Sequence, residues 1–97
     1  MIIIELTYKK SLDEVNHFLQ AHRDFLERCY SQKMFIASGP KNPRNGGVIL
    51  AMGDLTEIKK IIEEDPFNQH GVADYRIIEF KPNKYDANFS DSFLEKN

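Results

Sequence analysis

His22 is the residue of this sequence best suited to move a proton. Imidazole changes charge near neutral pH, and the residues one helical turn from His22 are Phe18, Leu19, Phe25 and Leu26. That spacing points the ring inward, while Arg23, Asp24, Glu27 and Arg28 mostly take the wet side. A titratable ring on a core-facing stripe has two readings. It is either a neutral core histidine with both nitrogens satisfied locally, or a general acid or base facing a cavity. Asp65, at the end of a second helical pattern, is the natural partner. A carboxylate within ~3 Å of an imidazole would fix its tautomer and favour its protonated form. The alternative for Asp65 is a helix-stop residue whose carboxylate bonds nearby backbone.

The remaining chemistry-bearing residues divide by position. Ser38 and Gly39, with Pro40, form a strand end where small residues let backbone donors approach a ligand, and Arg44 or Lys41 in the following loop is placed to meet an anionic group. An ordinary hairpin loop with solvated cations is the competing account. Cys29 falls on the buried stripe two turns from His22, where burial disfavours a thiolate. His17 and His22 are five residues apart, about 140° around a helix, so one ion is not readily held by both. His70, in a Gly-containing loop, reads as solvated. Without a Cys or His cluster no structural metal is expected, and no cofactor is called for. Gly46-Gly47 precedes a strand rather than joining a strand to a helix, which makes it a hairpin feature and not a phosphate cradle.

These residues sit in a chain of 97, enough for one domain with a modest core. Thirteen Lys and Arg against 15 Asp and Glu give a net charge of −2, with no basic stripe or acidic block to suggest nucleic acid or a membrane surface. A small-molecule or protein partner fits better. The single cysteine cannot form an intramolecular disulfide, and together with the absence of a signal-like start or a ~20-residue apolar run this points to a cytoplasmic protein.

The elements that must position the site follow in order. Ile2, Ile3, Ile4 and Leu6 predict a first strand buried on both faces. Ser11 with Glu14 is a capping box, and Leu12, Val15, Phe18, Leu19, Phe25, Leu26 and Cys29 carry one amphipathic helix to about Tyr30. Met34 to Ser38 is a second strand closed by Gly39-Pro40, and Val48 to Met52 a third. Asp54 with Glu57 caps a shorter helix bearing Leu55, Ile58, Ile61 and Ile62, which ends at Asp65-Pro66. A loop through Gly71 leads to a fourth strand, Ala73 to Phe80. Residues 1–82 thus make the domain, and 83–97, with Tyr85, Phe89, Phe93 and Leu94 about a turn apart, a tail or short docking helix.

The order βαββαβ specifies an α+β, ferredoxin-like sandwich: a four-stranded antiparallel sheet with both helices on one face. Continuous apolar runs in two strands imply that the other face is covered as well, and no further helix of suitable length is at hand. The expectation is a homodimer that brings two open sheet faces together. RNA-recognition modules share this order, but their central strand presents stacking aromatics. Here that stretch is Gly46-Gly47-Val48-Ile49-Leu50-Ala51-Met52-Gly53, so a nucleic-acid role is rejected.

His22-Arg23-Asp24-Phe25-Leu26, the Ser38-Gly39-Pro40 strand end, Gly46-Gly47, and Glu64-Asp65-Pro66-Phe67 followed by a Tyr-x-Ile-x-Glu-Phe strand together resemble the YCII family over residues 1 to 82. The resemblance implies a dimeric α/β barrel, a small-molecule pocket between sheet and helices, and a His/Asp active site at His22 and Asp65. It also implies kinship with a dehydrochlorinase of aromatic degradation, and more distantly with muconolactone isomerases and cofactor-free monooxygenases. Many relatives carry an arginine three residues before the histidine. Here that position is Leu19, so an anion-binding role is either lost or has passed to another cation.

The expected function is a metal-free enzyme of elimination or isomerisation type, acting on a small anionic or phenolic molecule. His22 would move the proton, Asp65 would orient it, and Ser38, Gly39 and Arg44 would hold the ligand. The rival reading is a non-catalytic ligand-binding or regulatory dimerisation module, in which His22 is structural or a ligand contact.

Overall fold

The computed structural model describes residues 1–89. Strands β1 (Ile2–Tyr8), β2 (Phe35–Pro40), β3 (Gly46–Ala51) and β4 (Ala73–Glu79) form one sheet in the order β2-β3-β1-β4, with every neighbouring pair antiparallel. Helices α1 (Leu12–His17) and α2 (Leu19–Ser31) lie between β1 and β2, and α3 (Leu55–Ile62) and α4 (Pro66–Gln69) between β3 and β4. The ferredoxin-like βαββαβ arrangement is therefore present, each helical region being split in two. Among the described residues no helix is long and apolar enough to cross a membrane.

The first split is local. Ser11 caps α1 by accepting the Glu14 N–H at 3.3 Å, but at Phe18 the N–H bonds Val15 O, three residues back, at 3.1 Å. This tightened turn interrupts the single helix that the apolar spacing predicts. The Phe18 ring is stacked on His70 at the end of α4 and stands edge-on to His17, so the break lies where the helix leans on α4. Helix α2 resumes with His22 N–H on Phe18 O at 3.0 Å and buries His22, Phe25 and Cys29 on one stripe. The second split follows from Asp65-Pro66. Helix α3, capped by Asp54 through the Thr56 and Glu57 amides, stops at Ile62. Asp65 then accepts the Phe67 N–H and Pro66 takes the first helical position, where a missing N–H costs nothing. The expected loop after Pro66 is thus a one-turn helix.

The sheet alternates. Ile2, Ile4 and Leu6 are buried beneath the helices in one core with Val15, Phe25, Phe35, Ile49, Ile58 and Phe67. Ile3 and Glu5 on the opposite face are half-buried, so the expected burial of β1 on both faces does not hold within one chain. Leu50 and Ile78 flank Ile3 on this open face, and Glu5 pairs there with Lys41 at 2.9 Å. The Lys41 ammonium holds the Glu5 carboxyl below its usual range. Strand β2 runs through Gly39-Pro40 rather than stopping before them, as an edge strand allows. Gly46 is required by close approach, since a Cβ there would lie 1.8 Å from Leu6 O. Residues 87–89 are helical, with Asp86 accepting the Asn88 N–H. Phe93 and Leu94 of the anticipated docking helix lie outside the described residues.

Candidate active site

Three elements converge on one buried carboxylate. Asp65, wholly inaccessible at 0% exposure, receives His22 Nδ1 from α2 at 2.7 Å on Oδ1. The same oxygen accepts the Phe67 amide of α4 at 3.0 Å, and Oδ2 accepts the Tyr75 hydroxyl of β4 at 2.5 Å. Burial first, then the charge of Asp65 and the hydrogen bond to it, push the Tyr75 phenol far above its ordinary value, so Tyr75 stays a donor. Phe67 N–H can only donate. The carboxylate is therefore an acceptor for all its partners, which puts a proton on His22 Nδ1, so that in the neutral ring the lone pair is on Nε2.

The ring is held face-on as well as edge-on. Phe67 stacks on it with centroids 4.0 Å apart and planes 4° from parallel, and Phe25 lies tilted at 6.3 Å. Among the described residues no sealed side-chain nitrogen or oxygen lacks a partner. Nε2 has no partner among the described residues, so it is not sealed by them, and His22 lines a cavity of about 360 Å³ between α2 and strands β1, β2 and β3. A stacked, hydrogen-bonded ring with one nitrogen open to a cavity is the arrangement expected of a general acid or base rather than of a closed core histidine.

The cavity wall is apolar at Leu6, Leu19, Leu26 and Ile49 and carries two guanidinium groups, Arg23 and Arg44. No Asp or Glu among the described residues lines it. Arg44 donates to Asn16 Oδ1 at 2.8 Å and lies 5.9 Å over the Tyr8 ring. Ser38 and Gly39 line it too, with the Ser38 hydroxyl 2.7 Å from the Tyr30 hydroxyl. Single-ring ligands fit such a volume, since an apolar cavity of about 150 Å³ already admits benzene.

The fold thus brings His22 to Asp65 and sets Ser38, Gly39 and Arg44 around the same hollow. Lys41 is elsewhere: it turns to the open sheet face, on Glu5 and Thr7. Cys29 is buried, and desolvation pushes its thiol up to about 11. His70 is exposed at its rim but stacked on Phe18, and among the described residues no group of three or more His, Cys, Asp or Glu is placed to hold a metal ion. Sequence reasoning missed Tyr75, Phe67 and Arg23. A tyrosine on the core side of an alternating strand needs a partner for its hydroxyl, and that signal was available for Tyr75.

Comparison with known proteins bears on the fold. A search among curated protein sequences finds no match. Among solved structures the chain is similar to 5-chloro-2-hydroxyhydroquinone dehydrochlorinase of Burkholderia phenoliruptrix AC1100, determined in complex with 2,5-dihydroxybenzoquinone. The TM-score is 0.68 at 18% identity, over 84% of this chain and 94% of that one. The sequence profile of the YCII-related domain matches residues 1–81, which contain the whole βαββαβ unit. The chain therefore belongs to the YCII-related domain family.

Proposed function

We propose that this protein is a small-molecule enzyme in which His22 Nε2 takes a proton from a cyclic, phenolic or acidic substrate, in an elimination or isomerisation. Asp65 holds the tautomer and balances the charge that develops on the ring, and Tyr75 and Phe67 N–H hold Asp65. Ser38 and Gly39 supply polar contacts for a substrate oxygen, and Arg44 an anion contact. No step needs a metal on this reading. A second copy against the open face around Ile3, Leu50 and Ile78 completes the dimer and keeps bulk water from the sheet. The observation that carries the reading is the buried His22–Asp65 pair with Nε2 left open to the cavity.

The structurally similar dehydrochlorinase supplies the first substrate to try. Loss of HCl needs a base for the proton, and chloride departs with the bonding pair. The test is chloride release from 5-chloro-2-hydroxyhydroquinone and related halogenated phenols by the wild type and by His22→Ala. The variant should be slower by ~10²- to 10⁴-fold, the usual contribution of a positioned acid or base. Equal rates would remove His22 from the chemistry. Binding of the panel without any turnover would leave a ligand-binding module.

A further inference from the structure

Most cations of this chain are either solvated or answered by an acid. Lys41 sits on Glu5 at 2.9 Å, Lys9 on Asp74 at 3.2 Å, and Arg76 reaches Glu5 at 3.7 Å. The two cations of the cavity are exposed at its mouth and answered by no acid among the described residues. Arg23 has no hydrogen bond or ion pair among the described residues, and Arg44 is bonded only to the neutral amide oxygen of Asn16. With no carboxylate among the described residues of the lining, the two guanidinium groups are its only formal charges, in a chain of net charge −2. Asp65 cannot pair with them or with a ligand, because His22 stands between that carboxylate and the cavity. Walls of hydrocarbon raise the strength of a charge pair formed there, and a planar guanidinium matches a carboxylate with two parallel hydrogen bonds.

We propose that Arg23 and Arg44 select for a ring-borne carboxylate, so that the ligands of this cavity are single-ring carboxylic acids rather than neutral phenols. The proposal rests on the cavity being the substrate site, but not on His22 being catalytic. Arg44 is the fixed member, held by Asn16 and the Tyr8 face at the end of the β2–β3 hairpin. Arg23 is the adjustable one, on the residue after the proton carrier, which sets the anion beside the reacting ring. Leu19, one turn earlier, lines the same hollow and adds no charge to it.

The test compares 2,5-dihydroxybenzoate with its uncharged isostere 2,5-dihydroxybenzamide by calorimetric or NMR titration. The wild type should bind the acid about ten- to a hundredfold more tightly than the amide, the range of one or two charge-assisted hydrogen bonds. Arg23→Gln and Arg44→Gln should each narrow that ratio, and the double variant should bring it close to one, the acid losing far more affinity than the amide. Arg23 has no protein partner to lose, so its variant keeps the fold. Equal affinities in the wild type, no binding of either probe, or an unchanged ratio in the double variant would overturn the proposal. His22→Ala separates the two readings: a retained acid preference together with wild-type turnover would sink the catalytic role and leave the recognition standing.

Discussion

Replacing Asp65 tests the site through stability before any substrate is known. In Asp65→Ala the buried Phe67 amide and His22 Nδ1–H lose their acceptor, while the half-buried Tyr75 hydroxyl can turn to water. Each of these two buried donors left unpaired costs about 1–3 kcal/mol. The expected loss is therefore ~2–6 kcal/mol, a large part of the ~5–15 kcal/mol that holds a domain of this size together. Asp65→Asn is milder. The amide oxygen can keep the Phe67 cap and the amide nitrogen can donate to Tyr75, leaving a loss of about 1–3 kcal/mol from the charged hydrogen bond to His22. Urea unfolding followed by circular dichroism reads both values, with a slope of ~1 kcal/mol/M for a small domain, so the midpoints should fall in the order wild type, Asn, Ala. Midpoints that coincide, or an Asn variant as unstable as the Ala variant, would refute the three-donor account of Asp65.

Tyr75→Phe removes one donor from Asp65 Oδ2, and should lower stability by about 0.5–1.5 kcal/mol in the same unfolding assay while weakening the preference of His22 for the Nδ1–H tautomer in ¹⁵N spectra. Gly46→Ala would set a methyl against Leu6 O, so the β1–β3 register must give; a loss of ~3 kcal/mol or more, or insoluble protein on expression, is expected. Cys29 should resist alkylation in the native state at pH 8 and react once urea unfolds the chain. Its thiol is raised from 9.0 to about 11 by burial, so it favours the fold fully below pH 9 and that contribution is lost as pH climbs toward 11. A native-state stability that rises over that interval would contradict the burial.

The parts of the fold governed by short-range chemistry were readable in the residues. Ser11 and Asp54 cap the helices they were expected to cap, because a side-chain oxygen answering an amide two or three residues on is a local event. The inward face of His22 followed from helical spacing, whereas Asp65, expected at the end of a helix that in fact stops at Ile62, caps the start of α4 and is also the histidine's partner. What escaped depended on contacts between distant segments. The break at Phe18 accompanies its stacking on His70, and Tyr75 meets Asp65 only because β4 lies beside β1 under the helices. Arg23 is exposed, as the helical wheel places it, but the wheel cannot show that the cavity opens beside it. The apolar run of β1 misled for a related reason: half-burial of Ile3 and complete burial of Ile4 look alike in a sequence.

The central claim is that His22 presents an unprotonated Nε2 to the cavity while Asp65 holds the proton on Nδ1. Long-range ¹H–¹⁵N correlation of the His22 ring at neutral pH, before and after addition of 2,5-dihydroxybenzoate, measures this directly. The account predicts a ring nitrogen with a lone-pair shift that moves when the acid is added, and a bonded Nδ1 that stays in place. A proton resident on Nε2, with neither nitrogen responding to the ligand, would mean that the ring is a structural fixture of the core.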